Sequence, residues 1–282
     1  MRTLVINKSN VVNNGKNSRF RYQFSQTMSI GLGDQISLVS AEIPYSNFNI
    51  MSQFANNQFS YNHPAGGSWN VIFPDGFYTI EAMNYYLQQV MILNGHYLVN
   101  GDGDIVYYLK LSTNQNRYKI QLDCFVVPST LPTTWTNPAS FNLTLYGGKT
   151  FNFIFSSGQK FQQLLGFTDG NYGTNNISNT SYLSQSVPSP ALVNSYLITI
   201  PNLINQSNIA TNSNSAIFVK SPDVDFGNNI NITPAYPIWI DINQGSYNFI
   251  DVVIASGDDG SELYLQDANS LFLLVIRSKN EI

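Results

Sequence analysis

Apolar positions along this chain recur mostly at every second residue, the period of a strand with one face buried. Phe20, Tyr22 and Phe24 alternate with Arg19, Arg21 and Gln23, and Ile36, Leu38 and Ile43 mark a second run that ends at Pro44. The turn sequence GLGD at 31–34 lies between these runs, which predicts a hairpin. Tyr107, Leu109 and Leu111 resume the alternation, followed across a turn at Thr113 to Asn116 by Tyr118, Ile120, Leu122, Cys124 and Val126. The segments FNLTLY, FNFIF, SYLITI, AIFVK, IWIDI, FIDVVIA and LFLLVIR predict further strands, with SGDDGS as turn material between the last two. About ten strands at short, irregular spacing predict an all-β fold, a jelly-roll sandwich with helices in its connections and long polar loops.

Two stretches depart from period two. In FPDGFYTIEAMNYYLQQVM, Thr79 follows Pro74 and Gly76 as an N-cap, and Ile80, Met83, Leu87, Val90 and Met91 recur at helical spacing until Gly95. A shorter helix is expected where Ser157 can cap, Phe161, Leu164 and Leu165 form a stripe and Gly166 ends it. Each has one face to bury, and each is expected to cover an open end or face of the sandwich. The polar stretches at 170–190 and 203–215 read as long surface loops, a loop insertion around 170–215.

The domain reading is a flexible basic N-terminal arm over residues 1–18 and a single jelly-roll domain over 19–282. Five of the thirteen basic residues, Arg2, Lys8, Lys16, Arg19 and Arg21, precede the first acidic residue, Asp34. They are the candidate assembly contacts, docking on a neighbouring subunit; the bland reading is a solvated leader strand. Nucleic-acid contact is disfavoured, because arms that neutralise phosphate carry denser charge.

Only 11% of residues are charged, and Asn, Ser and Gln fill the gap. A polar, weakly charged surface repels copies of itself poorly, which suits a subunit packed against neighbours; codon drift in an AT-rich genome is the competing explanation. One cysteine, Cys124, excludes an intrachain disulfide, and its place on an apolar strand face makes it a small buried hydrophobe. No apolar run has the length of a membrane span and the N-terminus lacks a secretory pattern, so the expectation is an intracellular product with no membrane insertion.

Chemistry is scarce. His63 and His96 are the only histidines, neither beside a nucleophile signature, and both read as turn residues. GLGDQI has Ile36 where a dinucleotide fingerprint needs its third glycine. NGDGD at 100–104 lacks the glycine and closing glutamate of a calcium loop and reads as a tight turn. No carboxylate pair stands out. The expectation is a non-enzyme with no catalytic, cofactor or metal residues.

The order of PDGFYTIEAMNYYLQ, a hairpin containing NRYKIQL, and FNFIFSSGQKFQQLLGF resembles the single jelly-roll minor capsid, or penton, proteins of virophages, Polinton-type elements and related large double-stranded DNA viruses. QISLVSAEIPYSNFNI is similar to the family's early strand and Pro-Tyr turn, and YNFIDVVIASGDDGSELYLQDANSLFLLVIR to its closing strand pair. The resemblance implies a coat role with no catalytic residues to transfer: a virion protein made inside the host cell, forming a homopentamer at the five-fold vertices beside a jelly-roll major capsid protein. Two alternatives stay open. One is a cement protein away from the vertices. The other is a carbohydrate-binding jelly roll acting as an attachment module, motivated by Trp69, Trp135 and Trp239 among many Tyr and Asn.

Overall fold

The computed structural model describes residues 1–174, 176–190, 193–204 and 215–278. The chain opens with β1 (Arg2–Ile6), β2 (Arg19–Ile30) and β3 (Gln35–Pro44). It continues through β4 (Gln58–Asn62), β5 (Ser68–Ile72), α1 (Ile80–Leu93), β6 (Tyr97–Val99), β7 (Ile105–Tyr107), β8 (Leu109–Asn114) and β9 (Lys119–Cys124). Next come α2 (Leu143–Tyr146), β10 (Asn152–Phe155), α3 (Phe161–Leu165), β11 (Gly170–Tyr172) and β12 (Thr180–Leu183). It closes with β13 (Tyr196–Thr199), β14 (Ala216–Lys220), β15 (Asn229–Ile232), β16 (Ile240–Asp241), β17 (Gly245–Ser256) and β18 (Leu271–Arg277). Two compact units result: the first combines Met1–Phe48 with Val193–Ile282, and the second is the continuous segment Asn49–Leu192.

The first unit is a jelly roll by its pairing alone. One sheet has the order β1-β18-β3-β15 and the other β14-β13-β17-β2. With the short β16 set aside, eight strands remain. The first pairs with the eighth, the second with the seventh, the third with the sixth and the fourth with the fifth, all antiparallel. That is one long hairpin rolled into two sheets, the double Greek key of this fold. The core lies between the sheets: Leu4 and Ile6 of β1, Ile36 and Ile43 of β3, and Phe272 and Leu274 of β18 are buried, as are Phe20 of β2 and Ile250 of β17. Phe20 meets Phe272 edge-to-face at 5.3 Å, and Tyr196 meets Tyr45 at 6.2 Å.

The pairing corrects two expectations. β2 and β3 do not form a hairpin: the GLGD turn passes the chain from one sheet to the other, because β2 pairs with β17 and β3 with β18. The first 18 residues are not a loose arm. Leu4 and Ile6 alternate inward, so Arg2–Ile6 add an edge strand to β18, and Asn7 then caps a short turn by accepting from the Ser9 amide.

The second unit has the sheets β11-β10-β4-β5 and β12-β9-β8 and the hairpin β6-β7. Its core is a cluster of rings: Phe161 stacks on Phe59 at 5.0 Å and on Phe73 at 5.1 Å, with Phe153 and Phe155 adjoining. α1 buries Ile80, Met83, Leu87 and Met91 in this core, starting at Thr79, whose hydroxyl accepts from the Ala82 amide. Gly95 at φ 69° ends α1 as expected; the Gly95 and His96 amides donate to the Ile92 and Met91 carbonyls, closing a Schellman motif.

Four further expectations change here. Both predicted helices bury their apolar stripes in this unit's own core and not in that of the jelly-roll sandwich. α3 begins after Lys160 without a side-chain cap, so Ser157 has no capping role. FNLTLY is a helical turn: Asn142 accepts from the Leu145 amide and diverts the chain from a strand. The stretch 170–190 also carries strands, because Tyr172 and Tyr182 pack on each other at 5.5 Å while Asn176 donates to Thr180 and Tyr182. Of the stretch 203–215, residues 205–214 lie outside the described residues.

Candidate assembly surfaces

A strand that buries one side alternates, but LFLLVIR does not. Phe272, Leu274 and Ile276 point into the jelly-roll core, and Leu271, Leu273 and Val275 therefore line the outer face of the same sheet. Val5 of β1 sits directly opposite Leu273 and is 50% exposed, and Val39 of β3 joins them at a bulge. This is an apolar stripe on the sheet's outer face. The unbroken apolar run was its signal in the sequence, since strands apolar on both sides are covered on both sides.

The structure separates the five basic residues. Arg21 lies opposite Asp251 in the β2–β17 ladder and donates to it twice, at 2.7 and 2.8 Å, while its guanidinium covers the Phe249 ring. Arg19 bridges Asp251 and Glu262; although burial pushes the Glu262 carboxyl up, the hydrogen bonds from Asn14 and then Arg19 hold it below its usual range. Lys16 lies over the Tyr264 ring. These three are engaged with partners inside the jelly-roll unit itself. Arg2 and Lys8 are exposed and make no ion pair among the described residues; Arg2 borders a small cleft with Asp34 and Arg277.

In the second unit, Val106, Tyr107, Tyr108, Phe125, Val126, Pro128, Pro132, Trp135 and Asn179 line an open groove of about 430 Å³. Val106 and Tyr107 of β7 and the adjoining Tyr108 line it from one segment, and Pro128, Pro132 and Trp135 from the strandless segment after β9. Asn179 is oriented by accepting from the Val126 amide. No lining side chain is an acid, lysine or arginine. Sequence reasoning missed this groove; its one signal was Pro128, Pro132 and Trp135 close together between strands.

The other tryptophans are occupied internally. Trp69 stacks on Tyr61 at 5.4 Å, and the Arg277 guanidinium lies 3.9 Å from the Trp239 ring. His63 opens a turn and His96 follows one, yet both are buried, which corrects their reading as plain turn residues. The Tyr61 hydroxyl, held by Asn94, meets His96 Nδ1 at 2.9 Å, and Tyr146 and Phe151 flank both rings. Burial, and then the neighbouring His63, lower the His96 pKa to about 4; burial lowers that of His63 as well. Cys124 is buried with its thiol pushed up to about 12 by burial, the small hydrophobe expected. NGDGD forms the β6–β7 turn, with Asn100 accepting from the Asp102 and Asp104 amides. Among the described residues no helix is long and apolar enough to cross a membrane.

No family model matches this chain, and no curated protein matches it. Among solved structures it is similar to the mavirus penton protein, with a TM-score of 0.45 and 11% identity over 98% of each chain. It is also similar to a chain of the Sputnik virophage structure determined at 3.5 Å by cryo-EM, with a TM-score of 0.39 and 12% identity over 100% of this chain and 99% of that one.

Proposed function

We propose that this protein is a structural subunit of an icosahedral viral shell, occupying the five-fold vertices as a homopentamer beside a jelly-roll major capsid protein. The observation that carries the reading is a jelly roll whose β18 sheet is apolar on its outer face as well as its inner one. A sheet face of this kind gains by being covered, and a head-to-tail contact repeated around a closing axis covers one such face per copy. The low overall charge keeps the electrostatic cost of that packing small. The ordered run of segments that resembles virophage minor capsid proteins favours the vertex over other shell positions. Arg2 and Lys8 are the basic residues left for contacts with neighbours. Synthesis inside the host cell and incorporation into the virion follow from the same reading.

Light scattering on a sizing column, over a range of protein and salt concentrations, tests it. A mass near five times 31.5 kDa is expected. The paired variant Leu273→Asp, Val275→Asp, whose side chains face outward, should fold and remain a monomer. A trimer that these substitutions dissolve would move the protein to a cement position. A monomer that also fails to enter particles when co-expressed with a major capsid protein would overturn the shell reading.

A further inference from the structure

β15 and β16 pair with the same edge of β3, Asn229–Ile232 against Pro44–Ala41 and Ile240–Asp241 against Ile36–Gln35. They are two halves of one edge strand, and residues 233–239, TPAYPIW, leave the ladder between them. Pro234 and Pro237 cause the excursion, because proline has no amide to donate to β3. The segment is presented to solvent: Tyr236 is 82% exposed and Ile238 47%. Proline also restricts the residue before it, so Thr233 and Tyr236 are both biased to extended or polyproline conformations. An exposed P-x-x-P segment of this kind loses little entropy on binding, and its usual receptor is a groove lined by aromatic rings.

The second unit carries such a groove. Tyr107, Tyr108, Phe125, Pro132, Trp135 and Asn179 give it rings to pack against proline and an amide to bond a backbone carbonyl. Neither the groove nor the segment contains a charged residue. We infer that the Pro234–Ile238 loop of one copy docks in the aromatic groove of the next copy. Loop and groove are different surfaces, so the contact is heterologous and propagates around a ring. The ring rests on the shell reading above; the loop-into-groove contact can be measured without it.

The probe is a fluorescein-labelled peptide of residues 233–239 titrated into the full-length protein and followed by polarisation. Saturable binding is expected, at least tenfold weaker with Trp135→Ala or Tyr107→Ala protein and with a peptide carrying Tyr236→Ala and Pro237→Ala. Circular dichroism melts show that each variant protein is folded. No saturation up to about 1 mM, the weak end for a specific contact, overturns the inference. So does binding that neither groove substitution weakens. On a glycan array, a hit that Trp135→Ala abolishes and the peptide fails to displace also overturns it, assigning the groove to a sugar. In the assembly assay, a loop variant and a groove variant should each stay monomeric and form a dimer, and nothing larger, when mixed. A wild-type pentamer that both variants still form overturns the docking and leaves the shell reading intact. Peptide binding in a protein that never assembles does the reverse.

Discussion

The jelly roll and the second unit reach a buried core by opposite routes. The jelly roll joins the two ends of the chain, and its ladders pair Arg2 with Ile276 and Phe20 with Val252. Closing such distant contacts is costly in chain entropy, so it depends on long strands, two of them of 12 residues, whose alternation fixes register. The second unit is one continuous segment with strands of only 3 to 6 residues. There the rings of Phe59, Phe73, Phe153, Phe155 and Phe161 form one connected cluster centred on Phe59, and buried rings of this size dominate core energetics. Register holds the first unit, and side-chain packing holds the second.

The sharpest way to break this contrast is Phe161→Ala. The ring is fully buried between Phe59 and Phe73, so its loss should cost about 3–5 kcal/mol. Amide hydrogen exchange should rise across 49–192 and stay slow in β17 and β18. Equal loss of protection in both regions would mean that the units share one core, and the comparison would fail.

Acid should separate them almost as strongly. His96 titrates near 6.5 in an unfolded chain and near 4 when folded, so its contribution is complete above pH 6.5 and is lost as pH falls toward 4. The second unit should lose about 3 kcal/mol between those values, because the charged ring must enter an aromatic pocket. Tyr61→Phe should leave the direction of this loss unchanged, since burial is its main cause. Urea unfolding at pH 7 and pH 4.5 checks it; equal midpoints for the second unit would contradict the buried-histidine account.

The same contrast explains what the sequence made legible. β2 and β3 could be read from alternation, because a sheet wetted on one side imposes period two, and β17 and β18 from their apolar runs. Their partners could not, since nothing local distinguishes a hairpin from a corner: GLGD suits both. In the second unit α1 was legible from its cap and stripe, whereas FNLTLY, with the composition of a strand, is a helical turn set by one Asn142 side chain. The candidate surfaces were the least legible. Arg19 and Arg21 looked free until the ladder placed Asp251 opposite Arg21 and within reach of Arg19, and the groove exists because a strandless segment places Trp135 on the same lining as Tyr107.

Asp251→Asn sharpens the comparison from the side of the jelly roll. The Asp251 side chain is 6% exposed and anchors both arginines, but Arg21 is 44% exposed and can return to water. Truncating the charge should therefore cost only about 1–2 kcal/mol, below the figure for a fully buried pair. The loss should appear as faster exchange in β2 and β17, with the second unit unaffected. A thermal melt unchanged by the substitution would show that hydrogen bonding along the ladder, without the ion pair, fixes this register.

Thr79→Ala should have the smallest effect. It removes the acceptor for the Ala82 amide at the start of α1, worth about 1 kcal/mol, and Thr79→Ser should restore it. The helix keeps its place because Met83, Leu87 and Met91 remain locked among the rings and Asn84 still accepts from the Leu111 amide. Urea midpoints of the three proteins, wild type, Ala and Ser, read the difference. A loss as large as that of Phe161→Ala would mean that backbone capping and not ring packing holds the second unit, and the division between the two units would then be drawn in the wrong place.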